Sequence, residues 1–129
     1  MTVYLNMSIK TKEKLTLEKG QQLLNYLFNN GCTIQKDRGY WDTKKEDWIP
    51  SSLNQAIKKY LNKEAYTFKL IFESIEFIFS VNYNKNEIFF SIDHFFINKY
   101  KNKAMESVES LKKLIGDKIK IKSINEEYG

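Results

Sequence analysis

Two hydrophobic periods divide the chain. Residues 2–10 alternate, with Val3, Leu5, Met7 and Ile9 on one side and Tyr4, Asn6 and Ser8 on the other, which predicts a half-buried strand. Leu17, Leu23, Leu24, Leu27 and Phe28 then fall in one arc, so an amphipathic helix runs from a Thr16 cap to a stop at Asn30-Gly31. Leu53, Ala56, Ile57, Tyr60 and Leu61 recur at helical spacing behind Ser52 and Gln55, which fit a capping box. Residues 65–97 return to period two. Tyr66, Phe68, Leu70 and Phe72 form one series and Ile75, Phe77, Phe79, Val81 and Tyr83 another. The phase slips at Glu73-Ser74, and because that pair lacks the residues that favour a two-residue hairpin, a wider turn is expected there. Asn82–Glu87 is a stronger turn signal, with Ile88, Phe90 and Ile92 opening the next strand. After a basic connector at 99–103, Met105, Val108, Leu111 and Ile115 predict a third helix ended by Gly116. Residues 118–122 alternate as an edge strand with outward lysines.

Two segments read less clearly. Residues 32–36 suggest a short strand. Residues 36–50 carry Tyr40, Trp41 and Trp48 in a polar stretch punctuated by Gly39 and Pro50, which reads as an irregular loop with a strand near 39–43. With no repeat and no linker, the expectation is a single α+β domain over 1–129, with a mostly antiparallel sheet of five to six strands and two to three helices packed on one face.

At 129 residues the chain is long enough to bury a core unaided, and its single cysteine excludes an internal disulfide. No apolar run approaches the roughly 20 residues of a membrane span. The opening Met1-Thr-Val-Tyr-Leu has no basic leader before an apolar stretch, so a cytoplasmic protein is expected. The net charge of +5 is uneven: residues 1–63 carry +5, residues 64–98 carry −3 and residues 99–129 carry +3. Of 21 basic residues only Arg38 is arginine, the side chain with fork geometry for phosphate and guanine edges. The lysines therefore read first as a solvated surface.

Chemical motifs are missing. Cys32 and His94 are each the only residue of their type, and Asp93 and His94 point to opposite faces of a strand, so no metal site is expected. The five glycines never cluster into a phosphate cradle, and no Gly-x-Ser-x-Gly elbow is present. Glu73 and Glu76 flank a turn as solvated charges. No catalytic residues and no cofactor are assigned. Large aromatics beside an arginine are typical of interface anchors, which singles out Arg38, Tyr40, Trp41, Asp42 and Trp48 as partner-binding candidates. The simpler alternative is that the tryptophans pin a loop over the core. A second mixed face, with Ile71, Ile78, Phe89 and Phe95 among Lys69, Glu73, Glu76, Ser91 and Asp93, is left for a partner if helices cover only the other face.

In layout the chain resembles the small single-domain immunity proteins that neutralise bacterial polymorphic toxins, including those of contact-dependent inhibition. The likeness rests on the helix-flanked start, the Tyr66–Ile97 strand block with its Asn84-Lys-Asn86 turn, and the missing catalytic signature. It implies a protein that binds its cognate toxin, covering the active site or holding it inactive without cofactors. The chain departs from the acidic character usual among nuclease inhibitors, which implies either an acidic toxin surface or contact through the −3 segment. Two other functions stay open: a lysine-driven nucleic-acid-binding module, and a small enzyme that uses His94, paired with Cys32 if the fold unites them.

Overall fold

A computed structural model describes residues 4–93 and 101–128. The strands are β1 (Tyr4–Thr11), β2 (Thr33–Ile34), β3 (Tyr40–Asp42), β4 (Asp47–Ile49), β5 (Thr67–Phe72), β6 (Ile75–Asn82), β7 (Glu87–Asp93) and β8 (Ile121–Tyr128). The helices are α1 (Leu17–Asn29), α2 (Leu53–Leu61) and α3 (Lys101–Lys118). All eight strands join one antiparallel sheet in the order β4-β3-β5-β6-β7-β1-β8, with β2 also paired to β5. The α+β architecture matches expectation, and the sheet has more strands than the five or six anticipated.

Local chemistry starts the helices. The Thr16 side chain accepts from the Lys19 amide, and Ser52 and Gln55 form the reciprocal capping box. Alternation then decides which sheet face is buried. Leu5, Met7 and Ile9 of β1, Phe68 and Leu70 of β5, Phe77, Phe79 and Val81 of β6, and Ile88, Phe90 and Ile92 of β7 are all essentially inaccessible. Pairing lines Phe68, Phe79, Phe90 and Met7 across the sheet. Phe77 meets the Phe90 ring edge-on at 5.3 Å. The three helices cover this same face. Val108, Leu111 and Ile115 of α3 lie over Met7, Ile9 and Phe90. Tyr60 of α2 packs on the Phe68 ring at 6.3 Å, and Leu23, Leu24 and Leu27 of α1 enter the same core.

Several local expectations are corrected. The turn after β5 is tight: Phe72 pairs directly with Ile75, and Glu73 and Ser74 both take positive φ, 50° and 70°. The β5–β6 ladder outweighs the cost of putting two non-glycine residues there. Gly116 does not end α3, which runs on to Lys118 with the Ile119 amide bonded to the Ile115 carbonyl. One glycine costs a helix only about 1 kcal/mol, which packing overrides. The final strand therefore spans Ile121–Tyr128 rather than 118–122, and two of the three lysines expected along that edge, Lys118 and Lys120, precede it. Lys101–Lys103 of the expected connector are helical. Segment 36–50 is a β-hairpin rather than an irregular loop.

Candidate interaction surface

The β3–β4 hairpin is assembled from its turn. Asp42 Oδ1 accepts from the amides of Lys44 and Lys45, each at 2.9 Å. The Lys45 amide bond is the main reason the Asp42 carboxyl sits below its ordinary range. Glu46 takes a positive φ of 52° and donates its amide to the Asp42 carbonyl at 2.8 Å. The strands beyond the turn pair Trp41 with Trp48 and Tyr40 with Ile49. The indoles pack edge-on with centroids 5.5 Å apart.

Register decides where these side chains point. Tyr40 stands opposite Phe68, so it faces the helices and is only 6% exposed. One residue on, Trp41 falls on the other face, that of Thr67, and Trp48 lies beside it. The five candidates therefore separate. Trp41 and Trp48 form a half-buried pair on the opposite face, which no helix among the described residues covers; this is termed the uncovered face. Asp42 holds the hairpin turn. Arg38 is exposed in the preceding turn, where its amide bonds to the Gln35 carbonyl. Tyr40 belongs to the core.

The uncovered face continues from the indoles across the sheet. Thr67, Ser80, Phe89, Ser8 and Asn125 form one transverse row, and Lys69, Ile78, Ser91, Asn6 and Glu127 form the next. Thr67 Oγ1 and Ser80 Oγ lie 2.8 Å apart, and Ser91 Oγ donates to Asn6 Oδ1 at 2.6 Å. Ile71 and Glu76 are paired further along, as are Asp93 and Tyr4. Lys10 forms an ion pair with Glu87. The charges along the strands of this face are Lys10 and Lys69 against Glu76, Glu87, Asp93 and Glu127, a balance of −2 on a chain of net +5. Lys69, Glu76 and Glu87 are half-buried among neighbours, while Lys10, Asp93 and Glu127 are exposed.

Other chemistry in the structure is sparse. Cys32 is buried in the core, and loss of solvation pushes its thiol up to about 12. His94 lies outside the described residues, as does Phe95, so the Cys32–His94 pair and the His94 enzyme are not placed. Among the described residues no group of three or more His, Cys, Asp or Glu side chains is arranged to hold a metal ion, and no helix is long and apolar enough to cross a membrane. A 210 Å³ cavity on the helix side, between the β1–α1 connection and the end of α3, is lined by Glu13, Lys19, Gln22, Lys118 and Lys120 over Leu15 and Ile119. The Lys19 ammonium lies 2.6 Å from the Glu13 carboxylate there.

The buried thiol gives a direct expectation. Cys32 resists a thiol reagent at pH 8 until the protein unfolds, so its labelling rate tracks global opening. Burial also pushes the Tyr60 phenol up to about 12. Both groups keep their proton in the folded state and release it more readily on unfolding. Stability is therefore full below the ordinary thiol value of 9.0 and falls as pH rises from there toward 12. Denaturant midpoints measured from pH 7 to 11 check this; a flat profile contradicts it.

No family model, curated protein or solved structure matches this chain.

The sequence signal for the hairpin was present in retrospect. Tyr40-Trp41-Asp42 and Asp47-Trp48-Ile49 flank a polar turn symmetrically, so a cross-strand Trp pair follows once the two are set antiparallel. The missing information was the register with β5, which sends Tyr40 inward and the indoles outward.

Proposed function

We propose that this chain is a non-catalytic protein-binding module of the immunity type, which neutralises a cognate bacterial toxin in the cytoplasm by seating its uncovered sheet face and β3–β4 hairpin on the toxin. The carrying observation is the Trp41–Trp48 pair at one end of a face that also bears Ile71, Ile78 and Phe89. Clustered aromatics and aliphatics within a polar rim are what anchor protein interfaces. The −2 balance of that face supports contact through the acidic middle segment and suits a basic toxin surface. The same balance disfavours the nucleic-acid reading, because phosphates would meet the aromatics on the side where carboxylates outnumber lysines.

Co-expression with the product of the neighbouring reading frame tests the proposal. The expected result is growth protection and a stoichiometric complex. Trp41→Ala combined with Trp48→Ala weakens that complex by at least about 30-fold, which corresponds to about 2 kcal/mol. Absence of both protection and a complex with the wild-type pair counts against the function. An intact complex with the double variant counts against the surface.

A further inference from the structure

The sheet treats its two ends differently. At one end β4 is three residues long and runs straight into Pro50, which has no amide hydrogen to offer a ladder. At the other end β8 is eight residues long, and its inner edge pairs with β1. Among the described residues no strand pairs with its outer edge. β8 contains no proline, and its single lysine, Lys122, sits in the irregularity near its start. Short length and a missing amide therefore blunt β4, whereas β8 is long, free of proline, and carries its three charges at its two ends. Five large hydrophobic side chains of the described residues are exposed, and two of them, Ile124 at 38% and Tyr128 at 48%, lie on β8.

The charges on β8 are ordered, with Lys122 toward its start and Glu126 and Glu127 toward its end. Parallel alignment of two such strands stacks like charges. Antiparallel alignment about a two-fold axis through Ile124 sets Lys122 of each copy across from Glu126 of the other. It also places the two Ile124 side chains side by side on the axis. A two-fold perpendicular to the sheet keeps each residue on its own face, so this register is sterically regular. Glu126 is already braced by an ion pair to Lys112 of α3, which holds its carboxylate in place.

We infer that β8 is a self-recognition edge: two copies of this chain pair antiparallel through it, centred on Ile124, and extend the sheet across the dimer. The arrangement is isologous and closes at two copies, which separates it from open-ended edge aggregation. It leaves the Trp41–Trp48 face free and stands independently of the proposed function.

Sedimentation of the intact chain between about 5 and 200 µM tests this. The wild-type protein shifts from one-chain to two-chain mass as concentration rises. Ile124→Lys puts two ammonium groups on the axis and raises the dissociation constant at least tenfold. Because Ile124 is exposed in the single chain, the denaturation midpoint of that variant stays near wild type. Ile124→Cys forms a covalent dimer on mild oxidation, whereas Leu61→Cys, equally exposed on α2, does not. A wild-type protein that stays one chain at 200 µM overturns the inference. So does a dimer indifferent to Ile124→Lys, or a β8 edge that pairs only with a strand of another protein.

Discussion

Gly20→Ala destabilises the protein by about 2 kcal/mol, although alanine is the better helix former. Gly20 lies in α1 where the helix crosses α2 and the sheet. A Cβ there would land on the Tyr60 hydroxyl and stand 2.9 Å from Val81 Cγ1. Tyr60 has no room to yield. Its ring is fully buried against Phe68 and Tyr83, and its hydroxyl donates to the Leu17 carbonyl at 2.9 Å. Overpacking of this kind costs about 1–3 kcal/mol, and the collision here sits at the upper end. The gain in helix propensity offsets about 1 kcal/mol. Tyr60→Phe removes the nearest atom at the cost of one hydrogen bond. In the double variant the two losses are therefore less than additive. Urea denaturation of the four proteins measures the coupling. Strict additivity would show that the helix moves away instead of pressing on Tyr60.

Gly39→Ala acts locally and strongly. Gly39 has φ of 63°, a conformation that costs other residues about 1–2 kcal/mol. Its would-be Cβ collides with the Ile49 carbonyl oxygen and lies 2.7 Å from Ser51 Cβ and 2.8 Å from Ser51 N. Backbone atoms cannot swing aside, so the total approaches about 3 kcal/mol, drawn mainly from the hairpin. The two tryptophans of the chain are both on this hairpin, so indole fluorescence reports it alone while circular dichroism reports the whole fold. In the variant the fluorescence transition moves to lower denaturant than the dichroism transition. Superimposable transitions at the wild-type midpoint would refute the account.

The parts of the fold that were legible in sequence are those fixed by neighbours a few residues apart. The capping box at Ser52, the Thr16 cap and the period-two runs of β5, β6 and β7 need no distant information. Gly116 misled because a helix stop is decided by what packs on the last turn as well as by glycine. Glu73-Ser74 misled because six rungs of ladder hold a turn its residues do not favour. The hairpin was obscured by brevity: three-residue strands carry too little alternation to stand out from a polar loop. For the candidate interaction surface, residue types are legible in the sequence and the direction of each side chain is not. Tyr40 and Trp41 look alike as candidates, yet one pairing, Tyr40 with Phe68, assigns them to opposite faces.

The place of β1 between β7 and β8 has a kinetic consequence. β1 has no neighbour until late in the chain: its Lys10 meets Glu87, 77 positions on, and its other edge waits for β8. Loop closure over such separations slows folding. During synthesis β1 emerges long before either flank exists, as a ribbon with one apolar face and two unsatisfied edges, and its pairings are complete only after β8 has left the ribosome.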